Sequence, residues 1–154
     1  MKFLVTGSAG LIGSQTVKDL VQQNHTVYSC YHDQKPLQGI PTPLDLSDEH
    51  QIIQILQETK PDRIIHLAAM TGVDLCETEK ELATIINTKA TETLARQATK
   101  QNIFFLYVST DYVFNGINGM KKEDDITNPL GFYGKSKLEG ELVLNKLASN
   151  WCIA

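Results

Sequence analysis

Three glycines, Gly7, Gly10 and Gly13, follow directly on the apolar tripeptide Phe3-Leu4-Val5. That tripeptide reads as a buried strand, and Leu11, Val17, Leu20 and Val21 then recur near helical spacing. The glycines therefore fall on a strand-to-helix turn. They permit a tight turn, and they let backbone N–H groups approach an anion such as a pyrophosphate. The helix N-terminus behind them adds free donors and a favourable dipole. A chain that opens this way is constrained to a parallel α/β sheet with a ligand edge at the carboxyl ends of its strands.

The rest of the chain keeps that alternation. Thr26 to Tyr31 reads as a second strand, and Leu44-Asp45-Leu46 closes a short third one after a proline-rich loop. Ser47 is the expected N-cap of a helix that presents Ile52, Ile55 and Leu56 and stops before Pro61. Arg63 to Leu67 is a fourth strand. Glu79 to Lys100 reads as one long helix with Ala83, Ile86, Ala90 and Leu94 inward. Ile103 to Val108 is a fifth, continuous apolar strand, and a helix from about Leu130 to Leu147 follows a polar loop. Trp151 to Ala154 opens a sixth strand. The expected fold is a doubly wound, Rossmann-like parallel sheet of order 3-2-1-4-5 with a truncated sixth strand.

One domain is the reading for 154 residues, 42% hydrophobic and 21% charged. A formal charge of -4 without a basic stripe argues against nucleic acid or an anionic membrane surface as partner. No apolar run reaches membrane-spanning length, and the first residues lack the pattern of a secretory signal. Cys30, Cys76 and Cys152 form neither a disulfide framework nor a CxxC pair. A cytoplasmic location is expected, and no metal site.

The residues that carry chemistry lie at the carboxyl ends of these strands. Gly7, Gly10, Leu11, Ile12 and Gly13 make the anion-binding turn. Tyr31 stands where a ribose-reading carboxylate is often found. Asp33 lies two residues on, and His32 and Lys35 are able to meet a phosphate instead, so NADP(H) and NAD(H) both remain open. Ala68 and Ala69 are small enough to let backbone approach a cofactor after the fourth strand. His66, inside an apolar strand, reads as a core residue.

Tyr133 and Lys137 are four residues apart on a helix and share a face. An ammonium beside a phenol is expected to lower its pKa, and the Lys is able to hold a nicotinamide ribose. Upstream, Ser109-Thr110-Asp111 ends the fifth strand. Thr110 is the candidate to hydrogen-bond a substrate carbonyl oxygen, with Asp111 as an orienting carboxylate.

The glycine spacing resembles that of extended short-chain dehydrogenases/reductases, and the later wording resembles one branch of them. Val108-Ser109-Thr110-Asp111-Tyr112-Val113-Phe114-Asn115-Gly116 and Tyr133-Gly134-Lys135-Ser136-Lys137-Leu138-Glu139-Gly140-Glu141 are similar to segments of the dTDP-4-dehydrorhamnose reductase family. Val73 to Glu77, Asn87 and the stretch from Glu123 to Leu130 fit it too. The resemblance implies a hydride transfer from NADPH or NADH to the 4-keto group of a dTDP-4-dehydro-6-deoxy sugar. Thr110, Tyr133 and Lys137 match the catalytic positions. It also implies that Asp45 bonds the adenine amino group and that Leu46 lies against the ring.

The resemblance carries two departures. Family members continue for a similar length again, so a sugar-nucleotide-binding portion is expected beyond residues 1–154, and the chain alone is expected to bind cofactor weakly and to self-associate. A homo-oligomer is the expected assembly. The same motifs also occur in the non-catalytic regulatory subunit of methionine adenosyltransferase, which stands as an alternative. A sugar-nucleotide epimerase or dehydratase is a second alternative, disfavoured for a dehydratase because Tyr112 rather than an acidic residue follows Asp111.

Overall fold

The computed structural model describes residues 1–154. Strands β1 (Lys2–Thr6), β2 (Thr26–Tyr31), β3 (Ile40–Pro43), β4 (Arg63–His66), β5 (Phe104–Tyr107) and β6 (Trp151–Ile153) form one sheet. Its order is β3-β2-β1-β4-β5-β6, and every pairing is parallel. The expected doubly wound, Rossmann-like architecture is therefore observed. The order reverses between β1 and β4, and this switch point puts the glycine turn after β1 beside the end of β4.

Helices α1 (Leu11–Gln22) and α2 (Glu49–Thr59) follow β1 and β3; α3 (Val73–Thr78), α4 (Lys80–Ala83) and α5 (Ala90–Lys100) lie between β4 and β5, and α6 (Phe132–Leu147) lies between β5 and β6. The larger core joins Leu4, Ile64, Phe105 and Tyr107 of the sheet to Ile52, Leu56, Leu94 and Leu144 of the helices. A smaller cluster of Phe3, Val5, Val17 and Val27 fills the other face under α1. Fully parallel strands need both faces covered, and these two clusters do that.

Three local expectations are corrected. The third strand is Ile40–Pro43, inside the expected proline-rich loop, and Leu44-Asp45-Leu46 follows it; as an edge strand, paired only with β2, β3 tolerates its prolines. The N-cap of α2 is Asp48, not Ser47: its carboxylate accepts from the His50 and Gln51 amides at 2.9 and 3.1 Å. A carboxylate at that position also gains from the helix dipole. Ser47 instead donates, through its amide and hydroxyl, to Asp45 at 2.8 and 2.7 Å. The span from Glu79 to Lys100 is not one regular helix, because Thr84–Lys89 is a π-helical segment between α4 and α5. The wider turn carries Asn87, whose side chain accepts from the Met70 amide at 2.7 Å and donates to the Met70 carbonyl and Ser136 Oγ. A π turn inserted in an α-helix commonly marks a functional region.

Candidate active site

The glycine turn is tight because the sheet comes close to it. Gly7 has φ 67°, and a Cβ there would stand 2.8 Å from the Ala68 amide nitrogen. A Cβ at Gly13 would stand 2.1 Å from the Gly7 carbonyl oxygen. The fold itself excludes side chains at both positions. At Gly10 the nearest atom to a Cβ would be the Gly7 carbonyl oxygen at 3.3 Å, so the fold comes near to accommodating one there. Ser8, fully buried, donates through its amide and hydroxyl to the Cys30 carbonyl at 3.2 and 2.7 Å, which ties the turn to the end of β2. The first amides of α1 have no intrahelical partner, and Leu11 and Ile12 stand exposed beside them.

Beside this turn lies a cavity of about 310 Å³. Gly7, Tyr31, Asp45, Leu46, Ala68 and Ala69 all line it, so these sequence candidates converge. Gly10, Leu11, Ile12 and Gly13 lie outside it, at the start of α1. Sequence reasoning missed Leu75, Leu82 and Ile86 in the lining. The sequence carried no local signal for Leu75 and Leu82, whose half-exposure on short helices is seen only in the structure. The Asp45 pKa is lowered, first by the Ser47 hydroxyl and then by its amide. His32 Nδ1 lies 2.9 Å from the Asp33 carboxylate, and this pairing raises the His32 pKa. Asp33 is therefore turned to His32, and His32 lies at the rim of the cavity with its Nε2 3.9 Å from Asp45.

The second cluster stands at the end of β5. Thr110 caps the one-turn helix Asp111–Val113, accepting from the Tyr112 amide at 3.2 Å. Tyr133, in the first turn of α6, packs edge-on to Tyr112 with ring centroids 5.6 Å apart. Burial raises its phenol above the ordinary value, and the neighbouring Thr110 hydroxyl partly offsets this. Lys137 is buried, at 3% exposure. Its Nζ donates to the Val108 carbonyl at 2.7 Å and lies 3.9 Å from the centre of the Tyr107 ring. Burial lowers its pKa to about 8, while Glu141 pulls it up. The expected lowering of Tyr133 by Lys137 is not seen: Lys137 is not among the charges acting on the phenol. Tyr133 and Lys137 are both on α6, but the recorded hydrogen bond of the ammonium goes to Val108, just after β5.

His66 is a core residue, as expected from its strand. Thr6 Oγ1 accepts from the Leu67 and Ala68 amides at 3.2 and 3.1 Å, so its proton goes to His66 Nδ1 at 2.7 Å. Nε2–H then donates to Thr91 Oγ1 at 3.1 Å, and Thr91 donates to the Asn87 carbonyl. One hydrogen-bonded chain thus runs from the glycine turn to the π segment. Asn87 continues it to Ser136, whose hydroxyl donates to the Tyr133 carbonyl at 2.8 Å.

The model of the RmlD substrate binding domain matches residues 1–154. The chain belongs to this family. Among curated relatives, a probable low-salt glycan biosynthesis reductase of Haloferax volcanii is 40% identical over 143 residues, covering 92% of the chain and 48% of the relative. Methionine adenosyltransferase 2 subunit beta of Xenopus tropicalis is 39% identical over 139 residues, covering 90% and 41%. Among solved structures, dTDP-4-dehydrorhamnose reductase from Bacillus anthracis in complex with NADP superposes with a TM-score of 0.86 and 31% identity, covering 99% of the chain and 51% of that protein. The chain spans about half the length of the curated relatives it matches. No helix is long and apolar enough to cross a membrane.

Proposed function

We propose that this chain is the cofactor-binding portion of an NAD(P)-dependent sugar-nucleotide reductase of the dTDP-4-dehydrorhamnose reductase type. The observation that carries the reading is that the glycine-turn cavity and the cluster of Thr110, Tyr133 and Lys137 lie at the same carboxyl edge of one sheet. An adenine dinucleotide fits the residues present. The cavity is mainly apolar, with the Asp45 carboxylate in its lining for an adenine amino group and Leu46 for the ring. The free amides at the start of α1 suit a pyrophosphate, and the space at Gly10 leaves room for one. The solved relative from Bacillus anthracis holds NADP.

Bound there, NAD(P)H supplies the hydride for reduction of a sugar ketone. The chain's own residues do the rest. Thr110 offers its hydroxyl to the carbonyl oxygen, where negative charge develops. Tyr133, with its pKa raised by burial, stays protonated at neutral pH and gives its proton to the new alkoxide. Lys137, whose ammonium keeps further N–H donors beside the one given to the Val108 carbonyl, would hold the cofactor ribose. The remaining sugar-nucleotide contacts are assigned to a further portion of the protein.

A second reading has its own support. The likeness to methionine adenosyltransferase 2 subunit beta favours a nucleotide-binding regulatory role without turnover. Calorimetric titration with NADPH and NADH tests the cofactor assignment on this chain. NADPH oxidation with a dTDP-4-keto-6-deoxy sugar, followed in the whole protein by the loss of reduced-nicotinamide absorbance, tests the reaction. Cofactor binding without any turnover would favour the regulatory reading, and no binding would defeat both.

A further inference from the structure

Ser109, Lys137 and Glu141 meet behind the reactive edge, and the mechanism above uses only one of them. Glu141 stands one helical turn beyond Lys137 on α6, so the two share a face. Its carboxylate accepts a hydrogen bond from the Ser109 hydroxyl at the end of β5. Lys137 donates to Val108, the residue before Ser109. Both side chains of α6 thus grip adjacent residues of the strand end that leads to Thr110.

We infer that Glu141 is a positioning residue of this site: its carboxylate, fastened by Ser109 one helical turn from Lys137, is the countercharge of the Lys137 ammonium. The inference rests on the reading that Lys137 serves the reaction. The neighbours of Lys137 leave Glu141 as the one group able to do this. From β4, His66 is buried and neutral, with its pKa lowered to about 3 by burial and then by Lys137. From β5, Tyr107 presents its ring and is held protonated by burial, and its hydroxyl is turned to the Lys137 carbonyl. On α6 itself, Tyr133 is also held protonated by burial. Glu141 is the charge that pulls the Lys137 pKa upward against burial. A neutral Lys137 would offer a weaker donor to a ribose hydroxyl, so without this carboxylate cofactor grip would fade at a lower pH than in the parent as the pH is raised.

Glu141→Gln separates charge from structure, because the amide oxygen still accepts from Ser109. With lysines carrying a 13C label at Cε, NMR titration of the cofactor-free chain reads Lys137 directly. The Lys137 midpoint is expected to fall by roughly half a pH unit or more in Glu141→Gln. It should return most of the way in Glu141→Asp, with little change in Tm for either. A Glu141→Gln midpoint equal to that of the parent overturns the inference. If the Gln variant does not fold, Glu141→Met supplies a neutral arm of similar length, and the same fall is expected, its absence having the same force. NADPH titration of the same samples keeps the two readings apart: a Lys137 shift in a chain that binds no cofactor leaves the electrostatic role standing and defeats the cofactor assignment.

Discussion

A phenol that is to give up a proton must first keep it. Burial does this for Tyr133, and the Thr110 hydroxyl sets how far the rise goes. Tyr133→Phe removes the proton and leaves the ring packed on Tyr112. Turnover by the whole protein should fall by about 10²- to 10⁴-fold, with NADPH affinity within about twofold of the parent. Steady-state rates and calorimetry measure the two, and near-normal turnover would remove Tyr133 as the acid. The glycines of the first turn divide in a similar way. Gly13→Ala would push a Cβ to 2.1 Å from a backbone oxygen and should cost about 3 kcal/mol or more of stability in urea unfolding. Gly10→Val meets only a 3.3 Å contact in the chain, so it should fold with a smaller loss. Its expected defect is in cofactor binding, since the branched side chain points to where the pyrophosphate is assigned. A Gly10→Val protein that folds and binds NADPH as tightly as the parent would contradict that assignment.

Two elements hold the Thr110, Tyr133 and Lys137 cluster against the glycine-turn cavity, namely the π segment and the start of α6, and Asn87 joins them. Replacing it with Ala strands the buried Met70 amide and carbonyl and the partner of Ser136. A loss of about 3 kcal/mol in stability is expected, together with weaker cofactor binding, because Met70 lines the cavity. An Asn87→Ala chain as stable as the parent would mean that water replaces the amide without cost. The elements themselves were largely legible in the sequence. Apolar runs gave five of the six strands and the sheet order, since short apolar segments alternating with helical periods leave few other topologies; β3, with its two prolines, fell in a stretch that reads as loop. The glycine turn and the Tyr133 to Lys137 spacing were legible because they are local. The π segment was not, because an inward face of Ala83, Ile86, Ala90 and Leu94 fits a regular helix equally well. What breaks that helix is a tether from Asn87 to Met70, 17 residues away. The same limit hid the partner of Lys137. Helical spacing says which residues share a face, but the Val108 carbonyl that takes the ammonium belongs to another element. Ser47 and Asp48 are neighbours that both suit a cap, and only the hydrogen bonds of Asp45 decide between them.

The whole molecule depends on a neutral His66. The ring is fully buried between Thr6 of β1 and Thr91 of α5, and its pKa is lowered to about 3 by burial first and the Lys137 charge second. In the unfolded chain the same ring titrates near its ordinary 6.5. Between these values the unfolded state holds a proton that the folded state does not, so folding stability rises with pH through that window. The contribution is fully present above about pH 6.5 and is lost as the pH falls toward 3. Asp45 and Glu92, whose folded pKa values are depressed, hold their contributions above the ordinary carboxylate range and lose them as the pH falls through it toward the folded values. His32, raised by Asp33, acts in the opposite sense but is fully exposed and solvent-screened. From pH 6 to 5 the slope should therefore approach one proton, about 1.4 kcal/mol per pH unit, measured by urea unfolding at a series of pH values. His66→Gln keeps an acceptor and a donor in the ring's place and cannot titrate. Its stability is expected to be lower at pH 7 and nearly flat from pH 6 to 5. A parent chain that is equally flat over that interval would show that His66 binds a proton as readily folded as unfolded, and the neutral hydrogen-bonded chain from the glycine turn to the π segment would have to be abandoned.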